Sequence, residues 1–208
     1  ERFEGGAALE RLPALAAARR ADGVADIVWV GDSISELNAM GAALPWQIGR
    51  ILSGWTEATQ YRNASGDQYA PSMDTTGTCT SADEAGFGGW AVDLVTGQVA
   101  STDGPGEGVT VLWTSAPDGG TLDVSWGGEV LGAIDTSGAP RHCRSTTFRR
   151  LRSRLSETLS VTCTRGSVRL EGVYVHGSNL DTGVRVWPAV RSGNAARHFV
   201  EQAGWMLD

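Results

Sequence analysis

The sequence has no hydrophobic run long enough to cross a lipid bilayer, so none of its 208 residues is predicted to lie in a transmembrane helix. It also has no excess of positive charge. The formal net charge of −7 argues against nucleic acid as a partner, because phosphate groups are neutralised by a basic protein face. We therefore expect a soluble acidic chain that forms one large domain or two small ones.

Cysteine is scarce, with only Cys79, Cys143 and Cys163 in the whole sequence. Their spacing matches no zinc motif, so we predict no metal site and no cofactor. The count allows one disulfide and one free thiol. We expect Cys143 to pair with Cys163, because both flank the same region of predicted strands, if the compartment is oxidising. Residue 1 is Glu rather than Met, so we interpret the chain as a processed or excised part, without a readable signal peptide.

A short apolar run over residues 27–30 ends abruptly in Gly31-Asp32-Ser33, and Ile34-Ser35-Glu36 follows. The run predicts a buried strand of a parallel sheet, and the residues after it predict a helix start. Ser33 would then lie at the edge of the sheet where ligands bind, with its N–H among the unpaired donors of the helix. It could supply a nucleophile and half of an oxyanion site. A simpler interpretation is that Asp32 or Ser33 only caps the helix.

This segment resembles the first signature block of the GDSL, or SGNH, family of serine hydrolases, in which an apolar strand precedes Gly-Asp-Ser-Ile/Leu-Thr/Ser-Glu. The resemblance implies that Ser33 is the nucleophile and an oxyanion donor, with Asp32 in a supporting position. Leu37 stands where the family normally has Gly.

A second strand, glycine and helix pattern lies near the end of the chain. Residues 183–187 predict a strand, Gly193 follows, and the spacing from Ala195 to Met206 predicts a helix. The pattern resembles the second block of the same family, in which a glycine N–H donates to the oxyanion. The resemblance gives that role to Gly193. An ordinary turn glycine is the alternative.

From about Gly86 the pattern changes to strict alternation, which predicts short antiparallel strands. Gly127-Gly128 separates two alternating runs and predicts a hairpin with a primed turn. Arg165-Gly166 predicts a further turn. Strands at this spacing are typical of a β-sandwich or jelly roll. The alternating apolar positions are Val109, Val111 and Trp113, then Leu122, Val124 and Trp126, then Leu159, Val161 and Cys163, then Val168, Leu170, Gly172 and Tyr174.

Two sets of side chains within this region have both a functional and a structural interpretation. The arginines could bind an anionic glycan or phosphate, or could lie on a solvated strand face and loop. The tryptophans could stack on sugar rings, or could fill the core of a sandwich. The two sets are Arg141, Arg144, Arg149, Arg150, Arg152 and Arg154, and Trp90, Trp113 and Trp126.

The predicted fold is therefore α/β, with a three-layer, flavodoxin-like parallel sheet of the SGNH type and an inserted all-β sandwich or jelly roll. The hydrolase-like domain would comprise residues 1–85 and 181–208, and the insertion residues 86–180. Strands near 27–30, 58–62 and 184–187 would form the parallel sheet. Helices are predicted over residues 7–20, 34–40, 45–52 and 195–206.

The family's third and fourth blocks, Gly-x-Asn-Asp and Asp-x-x-His, are absent from the sequence. The obvious substitutes lie outside the required context, so we assign no role to them. Without a base the serine hydroxyl is a poor nucleophile. We therefore expect that the chain ends before the third block, that it is inactive alone, and that a C-terminal segment or partner chain completes the site. The substitutes considered are Asn179, Asn194, His142, His176 and His198.

The resemblance predicts a serine esterase or deacylase that removes ester or acetyl groups from a lipid or saccharide through an acyl-enzyme. The alternative is a non-catalytic module on a hydrolase scaffold, which binds a cell-envelope glycan or forms part of a virion tail. Similar insertions occur in secreted actinobacterial esterases and in phage tail proteins. The resemblance therefore implies an extracellular or virion-associated location.

Overall fold

The computed structural model describes residues 24–31, 61–63, 73–81, 90–177 and 183–190 of the chain. These residues form strands and their connections, and the described part contains no helix. The strands are β1 (Val24–Gly31), β2 (Tyr61–Asn63), β3 (Asp74–Thr75), β4 (Thr78–Ser81), β5 (Trp90–Val95), β6 (Val99–Ser115), β7 (Thr121–Trp126), β8 (Glu129–Asp135), β9 (Arg141–Arg165), β10 (Ser167–His176) and β11 (Gly183–Val190).

Two sheets contain all of these strands. Nine strands form an antiparallel sheet in the order β4-β5-β10-β6-β9-β7-β8, with β2 paired to β10 and β3 paired to β6. The other sheet is the parallel pair of β1 and β11. The strands expected near residues 27–30 and 184–187 are therefore present and adjacent.

The antiparallel sheet folds over on itself because β6 and β9 are long and irregular. The first part of β6 pairs with the last part of β9, and the last part of β6 pairs with both β10 and the first part of β9. Two register shifts interrupt β6 between Gly104 and Gly108. A Cβ on Gly106 would lie 2.5 Å from the carbonyl oxygen of His176 and 2.6 Å from the ring of Trp126, so only glycine allows this close approach.

Both halves of the folded sheet contribute to one hydrophobic core, which matches the expected sandwich. The alternating residues of β7 and of the last part of β9 are fully buried, as period-two patterns require. The core includes Met73, Leu94, Val111, Trp113, Leu122, Trp126, Leu159, Val161 and Leu170.

The predicted hairpin at Gly127-Gly128 is confirmed. Trp126 lies opposite Glu129, and the two glycines have φ angles of 59° and 84°. These are the positive values of a type I′ turn, which matches the right-handed twist of the flanking strands.

The predicted turn at Arg165-Gly166 is also present, with a φ of 73° at Gly166. The strands on its two sides do not pair with each other in the described sheet. Instead β9 continues beside β7, and β10 continues beside β5. The turn therefore links the two facing halves of the sandwich.

A β-bulge at Glu171 divides β10 into two parts. Leu170 lies opposite Trp113 and Gly172 lies opposite Leu112, so Glu171 is one extra residue in the strand. Before the bulge the even-numbered Leu170 faces the core, and after it the odd-numbered residues do. The expectation that Gly172 and Tyr174 continue the pattern of Val168 and Leu170 is therefore wrong, because an extra residue reverses the two faces of a strand.

The predicted three-layer α/β fold is also wrong. The described residues are strands arranged mostly in an antiparallel sheet, and alternating β-branched and aromatic residues favour that arrangement. The strand expected at 58–62 overlaps β2, which pairs antiparallel with β10 rather than with β1. The four predicted helices lie outside the described residues. Among the described residues, no helix has the length and apolarity that a bilayer crossing requires.

The expected disulfide between Cys143 and Cys163 is absent, and all three thiols are free. Cys143 and Cys163 lie on the same strand, β9, and their backbones face different neighbours. A disulfide requires Cα atoms within about 7 Å. The two cysteines are 20 positions apart along one strand, so the shared strand keeps them apart rather than bringing them together.

We predict that Leu122→Ala lowers the free energy of unfolding by about 2–5 kcal/mol, because it leaves a cavity in the core where Leu122 is fully buried. The matched control is Leu155→Ala, since that side chain is 72% exposed, and its effect should stay within about 0.5 kcal/mol. Urea denaturation measures both values. Equal losses in the two variants would contradict the described core.

Candidate functional site

The predicted site residues Asp32, Ser33 and Gly193 lie outside the described residues, but the strands that precede them are described. β1 and β11 pair in parallel from Val24 opposite Gly183 to Gly31 opposite Val190. Both strands therefore end at the same edge of the pair. Ser33 follows Gly31 by two residues in the sequence, and Gly193 follows Val190 by three.

An ion pair anchors this parallel pair near its other end. Asp26 lies opposite Arg185, whose Nε and Nη2 donate to the two carboxylate oxygens at 2.7 and 2.6 Å. Nε1 of Trp187 also donates to Asp26 at 2.6 Å. Burial alone would raise the pKa of Asp26, but these hydrogen bonds outweigh it and lower the pKa. The bidentate geometry fixes the register of the two strands.

Aromatic side chains join the parallel pair to the antiparallel sheet. The ring of Trp187 lies 4.5 Å from that of Tyr174 on β10, which lies 4.9 Å from that of His176. His176 is fully buried, and its Nε2 is 2.8 Å from the hydroxyl of Thr110. These are the contacts of a structural histidine, and the residue lies two positions from Tyr174, on the same face of the strand. They give no support for His176 as a catalytic base.

The bulge at Glu171 forms a buried polar cluster. Its carboxylate is fully buried and accepts hydrogen bonds from the Thr114 hydroxyl at 2.5 Å, and from the Cys143 N–H at 3.1 Å and thiol at 3.0 Å. Nδ1 of His142 lies 3.7 Å from the same carboxylate and 3.2 Å from the Thr114 hydroxyl. All four residues lie on the three adjacent strands β10, β6 and β9.

A second irregularity supplies one of these donors. On β9 one extra residue lies between Arg141 and Arg144, which face Ser115 and Trp113. Within it Cys143 has a φ of 51°, in the left-handed region that non-glycine residues rarely adopt. A bulge removes backbone groups from the ladder, and here the N–H of Cys143 bonds to Glu171 instead.

The cluster stabilises a buried negative charge. Burial alone would raise the pKa of Glu171, but hydrogen bonds from His142, Thr114 and Cys143 outweigh it and lower the pKa. Burial and the adjacent carboxylate raise the pKa of the Cys143 thiol, which therefore stays protonated and donates. Among the described residues, no group of three His, Cys, Asp or Glu side chains could hold a metal ion.

A shallow cleft of about 230 Å³ opens beside this cluster, with Thr114 in the wall of both. Across it Arg169 donates from Nε and Nη2 to the two oxygens of Asp93, at 2.8 and 3.0 Å. Burial opposes ionisation of Asp93, but the hydrogen bonds from Arg169 and Thr80 lower its pKa. Asp118 and Ser167 form the exposed rim.

Two of the tryptophans and two of the arginines have structural roles. Trp113 and Trp126 are buried in the core, so neither offers a face to a sugar ring. Arg144 stacks on Trp113 at 5.4 Å, and Arg150 stacks on Trp126 at 4.8 Å. Arg150 also donates to Glu157 at 2.7 Å. Arg141 and Arg149 are exposed, and the side chains of residues 152 and 154 lie outside the described part.

Sequence patterns missed both the Glu171 cluster and the pair of Asp93 and Arg169. One available signal was Glu171-Gly172 inside an otherwise apolar strand, because an acidic residue and a glycine there indicate a bulge. Asp93 and Arg169 are far apart in the sequence, and only the pairing of β5 with β10 places them opposite each other.

Comparison with solved structures shows what the fold of this chain is similar to. The chain matches a solved peptidoglycan O-acetylesterase structure with a TM-score of 0.62 and 11% identity, over 91% of this chain and 53% of that one. No family model and no curated protein matches the sequence. The resemblance to the SGNH family is therefore not confirmed by sequence comparison.

Two further likenesses are weaker. A family two carbohydrate esterase from Cellvibrio japonicus matches at a TM-score of 0.36 and 14% identity, over 51% of this chain and 34% of that one. A carbohydrate binding module of Cellvibrio mixtus lichenase 5A matches at 0.43 and 17% identity, over 58% and 98%. Similarities at these TM-scores support no conclusion about this chain. With the O-acetylesterase the likeness shows the fold alone, and the chain spans about half of that structure's length.

We predict that Glu171→Gln lowers the free energy of unfolding by about 2–3 kcal/mol, because an amide NH₂ group then faces the Cys143 donors. Glu129→Gln, on the exposed hairpin, is the matched control and should change little. Since folding lowers the pKa of Glu171, its contribution is present above the ordinary glutamate pKa and is lost as the pH falls through the folded value. Urea titrations at several pH values should show the difference from wild type shrinking in acid. A difference that persists unchanged in acid would contradict a buried carboxylate.

We predict that Ellman's reagent modifies Cys79 in the folded protein, because this thiol is exposed, while Cys143 and Cys163 react only after unfolding. In denaturant without reductant all three thiols should react. A single reactive thiol in denaturant would indicate a disulfide and overturn the assignment of three free cysteines.

Proposed function

We propose that the protein is a serine esterase that removes acyl groups, such as acetyl, from a saccharide through an acyl-enzyme on Ser33. The observation that carries this proposal is the parallel register of β1 and β11. Gly31 and Val190 are opposite partners, and adjacent strands are about 4.8 Å apart. Both strands therefore end at one edge, at Gly31 and Val190, and we expect the segments that contain Ser33 and Gly193 to begin there side by side.

The chemistry follows from that juxtaposition. The hydroxyl of Ser33 attacks the ester carbonyl, and the backbone N–H groups of Ser33 and Gly193 stabilise the tetrahedral oxyanion. The alcohol of the saccharide leaves, and water then releases the acyl group from the serine. Asp32 supports the turn that presents the hydroxyl. Two donors are needed because one removed oxyanion donor typically costs about 10²–10³ in rate.

The choice of a saccharide ester is supported by the likeness in fold to a peptidoglycan O-acetylesterase over 91% of this chain. A lipid ester fits the same chemistry but has no such support. An acetylated cell-envelope glycan also agrees with the extracellular location that the sequence resemblance implies.

A base must take the proton of Ser33 for fast turnover. His176 is hydrogen-bonded to Thr110 and lies between the two sheets, and His142 lies in the Glu171 cluster. We therefore assign the base to neither residue. We therefore expect serine-reactive probes to label the protein more readily than it turns over substrate.

We predict that a fluorophosphonate probe labels Ser33 and that Ser33→Ala abolishes the labelling. Ser35→Ala is the matched control, since it removes a hydroxyl two residues away in the same segment and should leave the labelling intact. Where the protein hydrolyses 4-nitrophenyl acetate, Ser33→Ala should lower the rate to that of the uncatalysed reaction. Peptide mapping by mass spectrometry identifies the labelled residue.

Absence of labelling in the folded wild-type protein would overturn the proposal. So would labelling that Ser33→Ala leaves unchanged. Binding of a cell-envelope glycan by a protein that never labels would instead support the non-catalytic alternative.

A further inference from the structure

We infer that the cleft beside Asp93 and Arg169 is a binding site for one residue of a neutral saccharide, separate from the serine site. The inference concerns the antiparallel sheet alone and does not depend on Ser33. It rests on three features of the cleft: walls held in place before any ligand binds, a mixture of donors and acceptors, and a net charge that excludes anionic sugars.

Backbone hydrogen bonds fix the walls of the cleft. They join the β6–β7 connection to the β8–β9 connection, and a bridge joins the first of these to the start of β10. The N–H of Ala116 donates to the carbonyl of Thr136 at 3.1 Å, and the N–H of Thr136 donates to the carbonyl of Gly120 at 2.9 Å. A Cβ on Gly119 would collide with the carbonyl of Thr136, so the two connections approach as closely as glycine allows. Gly119 also bridges to Ser167. Binding would therefore require little ordering of the protein.

The polar groups of the cleft match hydroxyl groups. A sugar hydroxyl donates one hydrogen bond and accepts others, so it requires both kinds of partner close together. Asp93 and Arg169 supply a carboxylate and a guanidinium that bond to each other and remain 36% and 33% exposed. Their remaining lone pairs and N–H groups can bond to a ligand without breaking the ion pair. Ser167 and Asp118 add a hydroxyl and a second carboxylate at the rim.

The net charge and the volume of the cleft further restrict the class of ligand that could bind. Two carboxylates and one guanidinium give the cleft a net charge of −1, which disfavours uronic acids and phosphates. Ala116, together with the small exposed part of the buried Val168, supplies an apolar surface for the C–H groups of a sugar ring. The volume of about 230 Å³ lies below the range of about 300–1,000 Å³ that drug-sized ligands occupy. One sugar residue of a longer chain fits this space, with neighbouring residues in solvent.

The test uses chitotriose and maltotriose as neutral probes and trigalacturonate as an anionic one. ¹H–¹⁵N spectra of the wild-type protein should show shifts at Ala116, Gly119 and Ser167 with at least one neutral probe at millimolar concentration. Trigalacturonate should bind at least about tenfold more weakly, as expected for charge repulsion at an open site.

Two variants test the cleft itself. Ser167→Trp fills it from the exposed rim and should abolish the shifts. Asp118→Ala removes one exposed carboxylate. It should weaken binding about tenfold, because the ligand then loses one charge-assisted hydrogen bond. Asp74→Ala, an exposed aspartate on β3 away from the cleft, is the matched control and should bind like wild type. Ser33→Ala should also bind like wild type, which separates this inference from the esterase proposal.

Several results would overturn the inference. These are no shift with either neutral probe, shifts confined to residues outside the cleft, equally tight binding of trigalacturonate, or unchanged binding in Ser167→Trp. Loss of esterase labelling in Ser33→Ala has no bearing on it.

Discussion

The hydrogen bonds to the Glu171 carboxylate hold the irregularity on which the arrangement of β10 depends. An extra residue in a strand exchanges its two faces, and it leaves polar groups that the ladder no longer satisfies. Here the carboxylate accepts hydrogen bonds from the Thr114 hydroxyl and from the N–H and thiol of Cys143, which lies in the bulge of β9. A buried charge is tolerated only when its hydrogen bonds are nearly complete, so these bonds and the two bulges require one another.

The exchange of faces allows β10 to serve two surfaces. Val173 and Val175 continue the core of the sandwich, whereas Tyr174 and His176 face the other way. Tyr174 then contacts Trp187, which also bonds to Asp26, so an aromatic contact helps to join the antiparallel sheet to the parallel pair. The segments of Ser33 and Gly193 follow that pair in the sequence. The bulge therefore affects the proposed chemistry only indirectly, by helping to position the two strands that precede Ser33 and Gly193.

Local patterns in the sequence predicted the local structure well. Alternation predicted β7 and the last part of β9, and Gly127-Gly128 predicted its turn because paired glycines accept positive φ angles. The pairing between strands that are distant in the sequence was harder to predict from these local patterns. Period-two patterns do not reveal an extra residue, so the face of Tyr174 was assigned wrongly, and shared strand context wrongly suggested a bond between Cys143 and Cys163. The three-layer α/β prediction extended a motif of a few residues to a whole fold. Asp32, Ser33 and Gly193 lie outside the described residues, so their roles stay predictions.

We conclude that the bulge turns Tyr174 toward Trp187 and that this contact helps to hold the two sheets together. A double-mutant cycle of Tyr174→Ala and Trp187→Ala, measured by urea denaturation, tests it most directly. The account predicts a coupling energy of about 0.5–1.5 kcal/mol, the range found for aromatic pairs in contact. Additive effects, with no coupling between the two positions, would contradict it.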